Sequence, residues 1–184
     1  MDYYRTLSPS PIFLVGLPGV GKTVVGRRLA RRLGREFLDT DEEITTLYHT
    51  SISKMFETCG VEKFRKRERA TLLSLLCKSN VVISTGGGLP IHEDNMDLML
   101  VKGTVVYLTC PLRTLSERLY CVKESRPLVA HLDLEGIFSY LERTHSERDP
   151  YYSRAHFSID TSYMKSTEDE EKVVGEICNL LLSH

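Results

Sequence analysis

Ile12-Phe-Leu-Val-Gly-Leu-Pro-Gly-Val-Gly-Lys-Thr23, IFLVGLPGVGKT, decides the fold. Four apolar residues read as a buried strand, and GLPGVGKT over 16–23 matches G-x-x-x-x-G-K-[ST] without a gap. An amphipathic helix is expected to follow, from Lys22 to Leu33. In this strand–loop–helix setting the loop of Gly16, Leu17, Pro18, Gly19, Val20 and Gly21 wraps phosphates at a helix N-terminus with the backbone N–H groups of its residues other than Pro18. Lys22 is placed to reach the β- and γ-phosphates, and Thr23 to set its hydroxyl on Mg²⁺. A nucleotide-binding P-loop is the reading.

Working outward, short apolar runs alternate with amphipathic stretches, the pattern of an α/β domain with a parallel sheet. Strands are expected at 12–15, 36–39, 81–84, 104–109 and 156–160, and further helices at 60–78, 93–101, 111–120, 133–148 and 167–182. The last helix opens with Thr167 and Glu170 spaced as a capping box. Glu42 to Glu57 and Val122 to Leu132 fit this rhythm poorly, and such insertions after strands are where substrate caps and lids sit. No repeat or linker divides the chain, so residues 1–184 are expected to form one domain.

Twenty-four basic against 25 acidic residues leave a net charge of −1, which favours neither nucleic acid nor an acidic membrane. Arg27, Arg28, Arg31, Arg32 and Arg35 crowd one helix but lack interleaved aromatics, so a solvated face is expected. Five cysteines without a C-x-x-C pair read as small buried side chains in a reducing compartment. The N-terminal MDYYRTLSPSP is not a signal peptide, and no apolar run spans a membrane. A soluble cytoplasmic protein is expected.

A P-loop serves GTPases, ATPases and small-molecule kinases alike. The second strand ends in DTD, and Asp39 and Asp41, two apart, would face the same side of an extended segment. One carboxylate near Mg²⁺ and one near an acceptor hydroxyl suit phosphoryl transfer to an alcohol, while Asp41 also suits a helix N-cap. Arg65 and Glu68 share a helix face. Gly86, Gly87 and Gly88 after the third strand permit close approach of a ligand to the backbone. No N-K-x-D base-reading motif is present. An acceptor carrying a dianionic phosphate would be repelled by Asp41.

GLPGVGKT, DTD, GVEKFRKRE, STGGG, SRPL and ERDPYY follow one another in the order and approximate spacing of shikimate kinases, which the chain resembles from about Ile12 to Asp160. The resemblance implies a P-loop kinase fold similar to nucleoside monophosphate kinases, a five-stranded parallel sheet flanked by helices. A substrate-binding segment over about 42–68 and a lid over about 122–132 go with it. It implies transfer of the γ-phosphoryl of ATP, with Mg²⁺, to the 3-hydroxyl of shikimate, a step toward the aromatic amino acids. It gives Asp39 a role at the metal through water and makes Asp41 the candidate base. Arg65, Arg148 and the Gly86 to Gly88 backbone would hold the shikimate carboxylate and ring. Arg126 would close over the phosphates, and either Arg118 or Leu119 occupies the position near adenine. The remaining partners are small molecules and the protein is expected to be a monomer. The alternatives are another small-molecule P-loop kinase, such as a gluconate kinase, and a non-catalytic nucleotide-binding scaffold.

Overall fold

The computed structural model describes residues 7–126 and 128–183, so the first six residues and Pro127 of the expected lid lie outside it. Five parallel strands form one sheet: β1 (Ile12–Val15), β2 (Glu36–Asp39), β3 (Val81–Ser84), β4 (Thr104–Thr109) and β5 (Phe157–Asp160), in the order β2-β3-β1-β4-β5. Every residue of β1 and β3 is buried, the reason both read as unbroken apolar runs.

The helices are α1 (Lys22–Leu33), α2 (Thr40–Tyr48), α3 (Ile52–Leu75), α4 (Asn95–Lys102), α5 (Leu112–Cys121), α6 (Leu134–Tyr152) and α7 (Thr167–Leu182). The chain steps one way across the sheet from β1 to β2 and the other way in every later crossover. Right-handed crossovers therefore send α1 to one face and the helices leading to β3, β4 and β5 to the other. α7 packs on α1, and α5 packs on α6. The carboxyl ends of β1 and β3, adjacent in the sheet, feed helices on opposite faces, and a crevice opens between them.

The stretch Glu42 to Glu57, expected to be irregular, is mostly helical. Asp39 caps α2 by accepting the Asp41 N–H at 3.0 Å, and Asp41, Glu42 and Glu43 sit at the helix's positive end. Asp39 and Asp41 consequently do not share one extended segment: Asp39 is the cap, and Asp41 lies in the first helical turn. Ser51 caps α3 through the Lys54 N–H. That helix begins eight residues before the expected Gly60, which bends it at φ 74° and ψ 170°, a backbone state open essentially to glycine. Ile44, Met55 and Phe64 form a small core of their own beneath α2 and α3.

Two helix starts differ in detail. Glu93 has φ 50°, and α4 begins at Asn95, whose buried amide donates to the Leu89 carbonyl and accepts from Arg69. The capping box of α7 is Ser166 with Asp169, one residue before the expected pair. Arg27, Arg31 and Arg32 of α1 are exposed, as expected of a solvated face, and most arginines of the 27–35 stretch also find partners. Arg28 meets Glu170 and Glu171, Arg32 meets Glu171, Arg27 meets Glu42, and Arg35 donates to the Ser8 and Ser10 carbonyls. Of the cysteines, Cys178 is buried, Cys59 and Cys110 are half-buried, and Cys77 and Cys121 are exposed, so the expectation of buried side chains holds for one. No described helix is long and apolar enough to cross a membrane.

Candidate active site

The crevice holds a cavity of about 960 Å³. The P-loop supplies its first wall. Gly16, Gly19 and Gly21 all have positive φ, which turns successive N–H groups toward one centre at the start of α1. Leu119, 1% exposed, packs so closely that a Cβ on Gly19 would stand 3.0 Å from it. Pro18, Gly19, Gly21, Lys22 and Thr23 line the cavity, whereas Leu17 and Val20 point into a separate hollow of about 490 Å³ below the loop. The Lys22 ammonium donates to the Gly16 and Leu17 carbonyls at 2.8 and 3.0 Å. Burial pushes the Lys22 pKa down to about 8, with Asp41 and then Asp39 pulling the other way.

The second wall is the end of β2. Thr23 Oγ1 donates to Asp39 Oδ2 at 2.9 Å, so the carboxylate that caps α2 also receives the P-loop hydroxyl. Thr40 between the two aspartates is fully buried and accepts the Gly86 N–H at 2.8 Å, tying β2 to the glycine turn. The only mark Thr40 carries in the sequence is its position inside DTD. Asp41 points into the cavity, and burial followed by the nearby Asp39 raises its pKa, opposed by Lys22, Arg126 and Arg65.

The third wall is built on three glycines. A Cβ on Gly86 would stand 2.6 Å from Asp41 Oδ1, and one on Gly87 would stand 2.5 Å from Arg148 Nη1. One on Gly88 would collide with the Arg65 guanidinium. None of the three has positive φ, so close approach and not backbone freedom is what requires glycine here. Arg65 is held by Glu68, 3% exposed, whose carboxyl burial pushes up and Arg65 holds down. The Arg148 Nε is buried without a protein partner. Ile52, Phe56 and Phe64 add an apolar flank that the charged motifs did not announce.

Arg118 and Arg126 complete the lining. Arg118 donates through Nη2 to the carbonyls of Thr161, Ser162 and Met164, fastening the segment after β5 beside the P-loop. Arg118 and Leu119, the two candidates for the position near the base, both line the cavity, and Leu119 also packs into the core. Arg126 follows a 3₁₀ turn over Lys123–Ser125 and is exposed, yet near enough for Asp41 and Lys22 to feel its charge. Val129 buries itself in the main core, and Lys123 donates to the Leu132 carbonyl at 3.0 Å across the base of this segment. The structure thus gathers Lys22, Thr23, Asp39, Asp41, Arg65, Gly86, Gly87, Gly88, Arg118, Arg126 and Arg148 around one cavity, while Leu17 and Val20 line the smaller hollow and Gly16 lines neither.

Solved structures with this architecture include a shikimate kinase from Bacteroides thetaiotaomicron, with a TM-score of 0.90 and 32% identity over 94% of this chain and 98% of that one. A shikimate kinase from Acinetobacter baumannii in complex with shikimate gives 0.84 and 36% over 99% and 97%. A gluconokinase from Sinorhizobium meliloti, at 0.54 and 16% identity, shares the fold. In sequence, a shikimate kinase from Dechloromonas aromatica is 44% identical over 154 residues, 83% of this chain and 82% of that protein. One from Parabacteroides distasonis is 35% identical over 170 residues, 92% and 98%. The sequence model of the shikimate kinase family matches residues 18–181, and the chain belongs to the shikimate kinase family.

Proposed function

We propose that the protein transfers the γ-phosphoryl group of ATP to the 3-hydroxyl of shikimate, giving shikimate 3-phosphate and ADP. Family membership supports this reading, and one observation carries it at the site. Asp41, Arg148 and Arg65 converge on Gly86, Gly87 and Gly88 within the cavity that the P-loop opens into. A carboxylate for a hydroxyl and two guanidiniums for a carboxylate suit a polyhydroxy acid.

Asp41 takes the proton of the attacking hydroxyl as that oxygen bonds the γ-phosphorus and the bridging oxygen leaves with ADP. Its raised pKa brings the carboxylate nearer the operating pH of a general base. Arg65 and Arg148 hold the carboxylate and ring from the glycine turn. Lys22 neutralises charge on the β- and γ-phosphates, Arg126 covers the transferred group, and Arg118 stands toward the base. The Thr23 hydroxyl and the Asp39 carboxylate, 2.9 Å apart at the P-loop, form a hard-oxygen donor pair that fits Mg²⁺, with Asp39 acting through water. Bound there with the nucleotide, Mg²⁺ would offset the charge of the phosphates.

The chain acts as one domain, with residues 42–68 binding the acceptor and 122–132 serving as lid. It is taken to act as a monomer in the cytoplasm. Coupled ADP release, measured with Mg·ATP and shikimate, gluconate or AMP in turn, tests the reading. Turnover with shikimate is expected; turnover confined to another acceptor overturns it.

A further inference from the structure

Two tyrosines stand behind the acceptor wall. Tyr152 ends α6, is fully buried, and donates its hydroxyl to the Gly87 carbonyl at 2.5 Å. Its ring lies 5.3 Å from that of Tyr107, tilted by 51°. Tyr107 belongs to β4 and donates to Asp149 Oδ1 at 3.1 Å. A strut therefore runs from the sheet to α6 and from α6 to the glycine turn, and Arg148 sits within the turn of helix that it grips.

That turn needs gripping. Pro150 lies inside α6 and has no N–H, so the ladder loses a rung just after Arg148. The Arg148 Nε is buried without a protein partner, and the side-chain contact the guanidinium does make is with the Tyr152 hydroxyl. A Cβ on Gly87 would stand 2.5 Å from Arg148 Nη1 and 3.5 Å from the Tyr152 hydroxyl, so Gly87 touches both. Burial raises the Tyr152 pKa, with Arg148 opposing, and the phenol stays a donor at neutral pH.

We propose that Tyr152, backed by Tyr107, is a positioning residue: it locks the last turn of α6 to the Gly86–Gly88 turn and so sets where Arg148 meets the acceptor carboxylate. The proposal rests on the shikimate reading. Steady-state kinetics with Mg·ATP and shikimate test it. Tyr152→Phe keeps the ring and removes the bond to Gly87, so KM for shikimate should rise about tenfold, as an unmade buried hydrogen bond implies. KM for ATP and kcat should change by less than about threefold, because the strut's hydrogen bonds end on Asp149 and Gly87 and not on a P-loop residue. Tyr107→Phe should shift the shikimate KM in the same direction by less. Adding Tyr152→Phe to Arg148→Ala should cost no further kcat/KM, since the effect passes through Arg148.

A tyrosine that merely fills space would move both KM values together or neither, and either result in a folded Tyr152→Phe protein overturns the proposal. If that variant does not fold, Tyr107→Phe decides alone, and an unchanged shikimate KM overturns the strut. A wild-type protein that does not turn over shikimate defeats the functional reading instead, before any variant is read.

Discussion

Asp41 is held in a place that burial makes unfavourable for a carboxylate, and its chemistry needs that charge. Asp41→Asn should lower turnover by roughly 10²–10⁴-fold while ATP affinity changes little; near-wild-type turnover would leave the residue as part of the α2 first turn alone. The same substitution should stabilise the fold. A carboxyl whose pKa is higher folded than unfolded binds more protons in the folded state between the two values. Stability therefore falls as pH rises through that window, and the penalty is complete above it. Melting curves should show Asp41→Asn above wild type at neutral pH, with the gap closing on acidification. Lys22 carries the opposite case, since its ammonium is lost as pH rises through about 8. kcat/KM for ATP, which reports the unliganded enzyme, should fall through that value; a profile flat across it would place the ammonium elsewhere. Removing Arg65 strands the Glu68 carboxylate as well as the ligand's. Arg65→Ala should weaken shikimate binding by roughly 30- to several-thousand-fold, at about 2–5 kcal/mol, with ATP binding intact by calorimetry.

Among the elements, the strands and the helix after the P-loop were legible because fully buried runs and strong amphipathic stripes leave little choice. α2 and the part of α3 before Gly60 were not, since their apolar faces are short and cover a separate three-residue core, whereas the rest of α3 was legible and reaches the main core through Leu72 and Leu75. Their caps, Asp39 and Ser51, were present in the sequence, but Asp39 had been assigned to chemistry; it performs the structural task too, through its other oxygen. The same economy hid Tyr152, because a helix-ending tyrosine gives no hint that its hydroxyl meets a glycine carbonyl 65 residues earlier in the chain. The segment 122–132 is anchored at Val129 and by Lys123, leaving Arg126 between the two. A contact realised mainly in the transition state lowers kcat more than affinity. Arg126→Ala should therefore depress single-turnover rates sharply while both dissociation constants move far less. Unchanged single-turnover rates would mark it as a surface charge.

Over the whole molecule, sequence order and sheet order part company, and this is where reading residues along the chain is weakest. The six motifs were visible, but the meeting of Asp41, Arg65 and Arg148 on three consecutive glycines at the end of β3 is a product of the fold. Packing of that sheet also makes Gly103 indispensable. It stands where α4 enters β4, hard against the Pro11 carbonyl that accepts the Thr104 N–H. Gly103→Ala forces backbone from backbone at the start of β1 and should cost about 1–3 kcal/mol or more in urea unfolding; an unchanged midpoint would show that the junction yields freely.

The adjacency of β1 and β3 has a further consequence. Thr85 donates both its N–H and its hydroxyl to the Leu14 carbonyl, at 3.1 and 3.0 Å, pinning the root of the glycine turn to the root of the P-loop. Donor and acceptor platforms thus grow from neighbouring strands, whose spacing of about 4.8 Å is a property of peptide hydrogen bonding and not of any side chain. The sheet serves as a ruler for the transfer distance. Loops above it can be rewritten for a different acceptor without recalibrating that distance, so the scale of the reaction is inherited from the backbone while its selectivity stays open to change.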